Sequence, residues 1–212
     1  DHQDAIGADP DSPGHYGPTK AEGEAEVPKA FPNATVIRPS IVFGPEDDLT
    51  NRLAALAKLP ALPVVAPECR FQPVFVEDLA KAIARAVLDA DAHAGKTYEI
   101  GGPNVMSMKQ LTQAILAASG QETELVEMRA FVSSLISWLG FLPFAPLTRD
   151  QWLMLQRDNV PAKGARGLEA FGVRPTPFAA VAPAWLGRFR RGGRFGMYSS
   201  RGAACPPRTP PQ

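Results

Sequence analysis

Tyr16 and Lys20 stand four residues apart in Ser12-Pro13-Gly14-His15-Tyr16-Gly17-Pro18-Thr19-Lys20-Ala21-Glu22. On a helix that spacing puts a phenol and an ammonium on one face, one turn apart. The nearby positive charge favours the phenolate and lowers the tyrosine pKa. A tyrosine tuned in this way can pass a proton to or from a substrate oxygen. The same spacing also arises in any amphipathic helix with a core-facing tyrosine and a solvated lysine, so the pair needs its surroundings to carry meaning.

Those surroundings alternate between strands and helices. Residues 1–15 are rich in Asp, Pro, Gly and Ser and read as loop. A helix is expected over about Tyr16–Ala30, with Pro28 ending it early. Ala34–Arg38 is a short β-rich run closed by Pro39, and Ile41–Pro45 continues as extended chain and turn. Helices are expected over Thr50–Lys58, Glu77–Leu88, Ser107–Ser119, Ala130–Leu139, Thr148–Arg157 and Pro183–Phe189. Ser107 followed by Gln110 has the spacing of a capping box. Strands are expected at Phe71–Val76, Lys96–Ile100 and Glu124–Val126. The alternation predicts an α/β fold with a mainly parallel sheet.

At 212 residues the chain is long enough for one domain with a real core. Its net charge of zero gives no support to nucleic-acid binding by the body of the protein. The balance hides an asymmetry, because Arg188, Arg190, Arg191, Arg194, Arg201 and Arg208 come after the last acid. Cys69 and Cys205 lie far apart, which disfavours a disulfide framework and fits a reducing compartment. His2, His15 and His93 show no metal-ligand spacing, so no metal is expected. Asp1-His2-Gln3-Asp4 has neither the basic start nor the apolar run of a signal peptide. Residues 192–212 are Gly, Arg, Pro and Ser rich and are expected to be a disordered basic tail.

The chain resembles extended short-chain dehydrogenase/reductase proteins in Arg38-Pro39-Ser40-Ile41-Val42-Phe43-Gly44-Pro45, in Phe71–Ile83 and in Tyr98-Glu99-Ile100-Gly101-Gly102-Pro103. Within that superfamily, Ala5–Asp9, Arg38–Asp47, Leu147–Gln151 and Arg157-Asp158-Asn159-Val160 look most like one branch. That branch is the NAD(P)-binding accessory subunit family of respiratory complex I (NADH dehydrogenase alpha-subcomplex subunit 9) with its bacterial relatives.

The resemblance implies a cofactor, NADP(H) or NAD(H), with Tyr16 near the nicotinamide and Lys20 on its ribose hydroxyls. The backbone around Pro39, Ser40 and Ile41 would meet the carboxamide. Catalysis would rest on Tyr16 and Lys20, but Asp4 stands where enzymes of the superfamily carry Ser or Thr. An ionised carboxylate there cannot donate a hydrogen bond to a developing oxyanion.

The Gly-rich turn that binds pyrophosphate follows no strand of this chain. The expectation is therefore the C-terminal part of a Rossmann-type fold, with about a hundred residues of nucleotide-binding half lying upstream. Such a chain alone would hold a dinucleotide weakly. The expected organisation is a partial NAD(P)-binding domain over 1–128, a helical region over 129–191 and the tail from 192.

Ala130 to Leu147 carries no charge and approaches the length of a membrane span. Pro143, Pro146 and Gly140 argue against a continuous spanning helix. The stretch reads as a buried helix with an apolar loop, or as a patch docking on a membrane surface or membrane-bound partner. Three functions follow: an accessory or assembly subunit of complex I; a free NAD(P)-dependent oxidoreductase or sugar-nucleotide-type epimerase using Tyr16 and Lys20; or a fragment without function. The first places the protein peripherally, in the bacterial cytoplasm or on the matrix side of the mitochondrial inner membrane.

Overall fold

The structure is a computed structural model, and it describes residues 2–3, 16–128, 155 and 157–190, the side chains of 2–3, 16–21 and 24 excepted. Three parallel strands form the central sheet in the order β1 (His2–Gln3), β2 (Val36–Pro39), β7 (Thr97–Ile100). Around it lie two further parallel pairs, β3 (Val42–Phe43) with β6 (Val74–Phe75) and β4 (Ala61–Val64) with β9 (Glu124–Glu127). One antiparallel pair joins β5 (Arg70–Phe71) to β8 (Met106–Ser107).

The helices between these strands are α1 (Tyr16–Ala30), α2 (Asp48–Leu56), α3 (Val76–Leu88), α4 (Ala90–His93) and α5 (Met108–Ser119). A short 3-10 helix at Leu168–Phe171 then leads to α6 (Phe178–Val181) and α7 (Pro183–Leu186).

Local chemistry explains most boundaries. Helix α5 opens with a complete capping box between Ser107 and Gln110 and stops at Gly120, whose φ of 63° suits glycine. In α2, Asp47 caps the Thr50 N–H at 2.6 Å, so the helix begins before the expected Thr50. Pro28 does not stop α1. The turn closes beyond it, with Phe31 N–H donating to the Val27 carbonyl at 2.7 Å, because the donor lost at Pro28 and the crowding of its ring against the preceding turn leave the bonds of later residues intact.

The expected strand over Phe71–Val76 is instead two short pieces, β5 and β6, divided at Gln72-Pro73. Glycine is needed beside that division: a Cβ on Gly102 would lie 1.8 Å from the Pro73 carbonyl oxygen. Helix α3 buries Leu79, Ala82 and Ala86 at helical spacing and turns Glu77 and Lys81 to solvent.

Two larger cores sit against these elements. Ile37, Tyr98 and Ile100 of the sheet pack on Leu79, Ala82 and Ala86 of α3 and on Leu168 and Phe171. Phe43 and Phe75 pack on Leu111 and Ile115 of α5 and on Phe178, Trp185 and Leu186. Residues from 168 onward thus complete both cores. The helices expected at Ala130–Leu139 and Thr148–Arg157, the apolar 130–147 stretch and the tail from 192 lie outside the described residues, Leu155 and Arg157 excepted.

Candidate functional site at the carboxyl ends of the strands

Open parallel α/β sheets bind ligands beyond the carboxyl ends of their strands. Here that end of β2 is Pro39, followed by Ser40 and Ile41, all three buried or half-buried. Ser40 N–H donates to the Ile100 carbonyl of β7 at 2.8 Å, and the Ile41 carbonyl accepts from Val74 N–H at 2.9 Å. The turn is therefore pinned between the central sheet and β6. Among the described residues the Ile41 N–H is left as the turn's donor without a partner.

The Ser40 hydroxyl is spent inside the protein. It is 4% exposed, accepts from Gln72 N–H at 3.1 Å, and lies 2.8 Å from the Asn159 carbonyl oxygen and 2.6 Å from its Oδ1. Gln72 Nε2 in turn donates to the Gly102 carbonyl at 2.7 Å, which ties the end of β7 to the same cluster.

Residues 157–162 form a strap across these strand ends. Asn159 N–H donates to the Arg70 carbonyl at 2.8 Å and forms a bridge opposite Phe71. Asp158 accepts from the Arg70 backbone at 2.9 Å and from its guanidinium at 2.9 and 2.6 Å. Those hydrogen bonds hold the Asp158 carboxyl below the usual carboxylate range. Cys69 Sγ donates to the Arg157 carbonyl at 3.2 Å, and burial pushes its thiol up to about 11. At the strap's far end Glu99 accepts Ala162 N–H at 2.7 Å with one oxygen and meets Arg38 at 3.2 Å with the other.

Tyr16 and Lys20 occupy the first and fifth positions of α1. Their side chains, and all of Asp4, lie outside the described residues. Pro39, Ser40 and Ile41 form the turn that leaves the carboxyl end of β2. Sequence reasoning missed Gln72 and Asn159, which meet the Ser40 hydroxyl, and Glu99, which holds the far end of the strap. Arg157-Asp158-Asn159-Val160 stood out as a motif, but its partners are 119 residues away in sequence for the Ser40 bond. Among the described residues no group of three or more His, Cys, Asp or Glu could hold a metal ion.

A parallel sheet flanked by helices, with a pinned turn at the strand ends, defines a Rossmann-type α/β fold. The chain belongs to the family of the RmlD substrate binding domain, which matches residues 6–134. It is 37% identical over 176 residues to the mitochondrial NADH dehydrogenase [ubiquinone] 1 alpha subcomplex subunit 9 of Rattus norvegicus, covering 81% of this chain and 46% of that protein. The Dictyostelium discoideum subunit of the same name is 33% identical over 201 residues, 92% of this chain and 55% of that one. The chain thus spans about half the length of these curated relatives.

Among solved structures, the NADPH-dependent quinone oxidoreductase of Escherichia coli complexed with NADPH superposes with a TM-score of 0.65 at 19% identity, covering 86% of this chain and 63% of that one. At that identity the likeness is one of fold.

Proposed function

We propose that this chain is part of an NAD(P)-binding, short-chain-dehydrogenase-like protein that serves as an accessory or assembly subunit of NADH:ubiquinone oxidoreductase. The observation that carries the reading is the identity of 33–37% to subunits of that complex, sustained over 81–92% of the chain. It runs through the pinned turn and the strap rather than one short motif.

In this reading Pro39, Ser40 and Ile41 form the seat for the carboxamide of NADP(H) or NAD(H), with Ile41 N–H as its donor. Lys20 holds the ribose, and Tyr16 stands beside the nicotinamide. The bound nicotinamide would supply a hydride-carrying ring. This chain's residues orient it, and the half-buried Ser40–Gln72–Asn159 cluster keeps the seat rigid. Residues 1–128 then form part of the nucleotide-binding domain, and 129–191 a helical C-terminal region.

Among the described residues no helix is long and apolar enough to cross a membrane. The uncharged 130–147 stretch supplies a peripheral contact with the membrane or with complex I subunits, on the bacterial cytoplasmic or mitochondrial matrix face.

The test is made on the full-length protein that contains this chain. Deleting its gene should lower the amount of assembled complex I, and restoring it should recover that amount. Titration with NADPH should show saturable binding that Lys20→Ala weakens. Unchanged complex I after deletion, together with no nucleotide binding, would overturn the reading.

A further inference from the structure

A cleft of about 740 Å³ opens between α3 and residues 172–177, lined also by Pro103. Neither the pinned turn nor the strap contributes to it, so it is a separate feature. Lys81 and Arg85 reach it from α3, four residues apart and so on one face. Arg174 reaches it from the facing loop and enters no ion pair among the described residues.

The lining holds a single carboxylate, Asp78, and that group is already engaged. Its side chain is 3% exposed, with one oxygen accepting Thr176 N–H at 2.7 Å and the other 3.6 Å from Lys81 Nζ. The lining is therefore net positive, in a body that is otherwise mildly acidic.

The cations are also pre-placed. Arg85 Nη1 donates to the Phe171 carbonyl, which fixes the guanidinium while leaving its other N–H groups. Gly172, at φ +60°, makes room for it: a Cβ there would lie 2.8 Å from Arg85 Nη1. Pro175 and Pro177 stiffen the opposite wall by fixing their own φ.

Two guanidinium forks and an ammonium suit a tetrahedral anion with several acceptor oxygens. The volume exceeds what one phosphate fills and falls in the range of small-ligand sites.

We propose that this cleft binds a phosphoryl group carried on a larger molecule, either a free small molecule or a lipid headgroup. It does so by direct contact of Arg174, Arg85 and Lys81 with the phosphoryl oxygens. Binding weakens as salt rises, because the cleft is open to solvent.

The experiment uses the full-length protein at low ionic strength, with two probes. Calorimetric titration with inorganic pyrophosphate reads the free source. Flotation with phosphatidylcholine vesicles, with and without phosphatidylglycerol, reads the lipid source.

Saturable binding of either probe is expected. Arg174→Gln should weaken it roughly tenfold, the loss of about one charge-assisted contact, and Arg174→Glu should abolish it. Lys163→Gln, an exposed cation outside the cleft, should leave it unchanged. Because Arg174 is exposed and holds no ion pair among the described residues, these variants keep the fold. NADPH binding at the nicotinamide seat, read in parallel by nicotinamide fluorescence, should be indifferent to Arg174→Gln, which separates this proposal from the cofactor reading. Failure of both probes to bind, or binding by Arg174→Glu equal to the parent, would overturn it.

Discussion

Replacing Ser40 with alanine should loosen the strap from the strand ends. The hydroxyl makes one accepted bond, from Gln72 N–H at 3.1 Å, and one donated bond shared by the two Asn159 oxygens at 2.8 and 2.6 Å. Each bond contributes about 0.5–1.5 kcal/mol net, and a buried donor left unpaired costs toward the upper end. The substitution should therefore destabilise the protein by about 2 kcal/mol. For a chain of this size that corresponds to a fall in Tm of about 4–8 °C.

Thermal unfolding gives the first number, and a double-mutant cycle with Asn159→Ala isolates the pair. The cycle should return a coupling of about 0.5 kcal/mol or more, since the two residues touch. Amide exchange supplies a local readout, because the Asn159 N–H is held by the Arg70 carbonyl at 2.8 Å. Ser40→Ala should speed exchange there more than in α5. A cost below about 0.5 kcal/mol, additive single mutants and unchanged Asn159 protection would together show that Ser40 does not anchor the strap.

Three further outcomes follow from the same geometry. In a Cys205→Ser background, Cys69 should resist thiol reagents at pH 8 until the protein unfolds, because burial holds its pKa near 11 against an ordinary 9.0. That raised value favours the native state fully below pH 9, and the contribution should fade as pH climbs from 9.0 toward 11. The depressed Asp158 pKa works the other way, contributing above 3.8 and losing its contribution as pH falls through the folded value. Asp158→Asn should therefore flatten the acid limb of a stability–pH curve, and an unchanged limb would contradict the role given to the Arg70 pair. Gly102→Ala should cost about 3 kcal/mol or more, since its Cβ meets backbone at 1.8 Å. Gly187→Ala, with open space around it, should cost little and serves as the control in the same denaturant titration.

Much of this fold could be read from local sequence, for identifiable reasons. Ser107 and Gln110 announce α5 because a capping box is a local device. Leu79, Ala82 and Ala86 announce α3 because amphipathic spacing is local too. The parallel sheet followed from alternating strands and helices, and β2 and β7 formed within two residues of their expected limits.

What local sequence concealed depends on distance or on proline. Ala61-Leu62-Pro63-Val64 was not read as a strand, because Pro63 masks the pattern; its pairing with β9 is seen only once the fold brings them together. The Phe71–Val76 run broke at Pro73 for the same reason. At the candidate site, the turn at Pro39, Ser40 and Ile41 is marked in sequence by the proline that closes β2. Asn159, Gln72 and Glu99 are not, because their roles are contacts across 119, 32 and 61 residues. Nothing in a single sequence marks a serine hydroxyl as spent on an asparagine so far away.

Native-gel migration decides whether the protein is a complex I subunit. Membranes from cells carrying a tagged full-length protein are solubilised in mild detergent and separated on a native gel with in-gel NADH dehydrogenase staining. The tag should co-migrate with the active complex I band or with a smaller assembly intermediate that contains complex I subunits. A tag found at the mass of the free protein, and absent from every band containing complex I subunits, would contradict the proposed role.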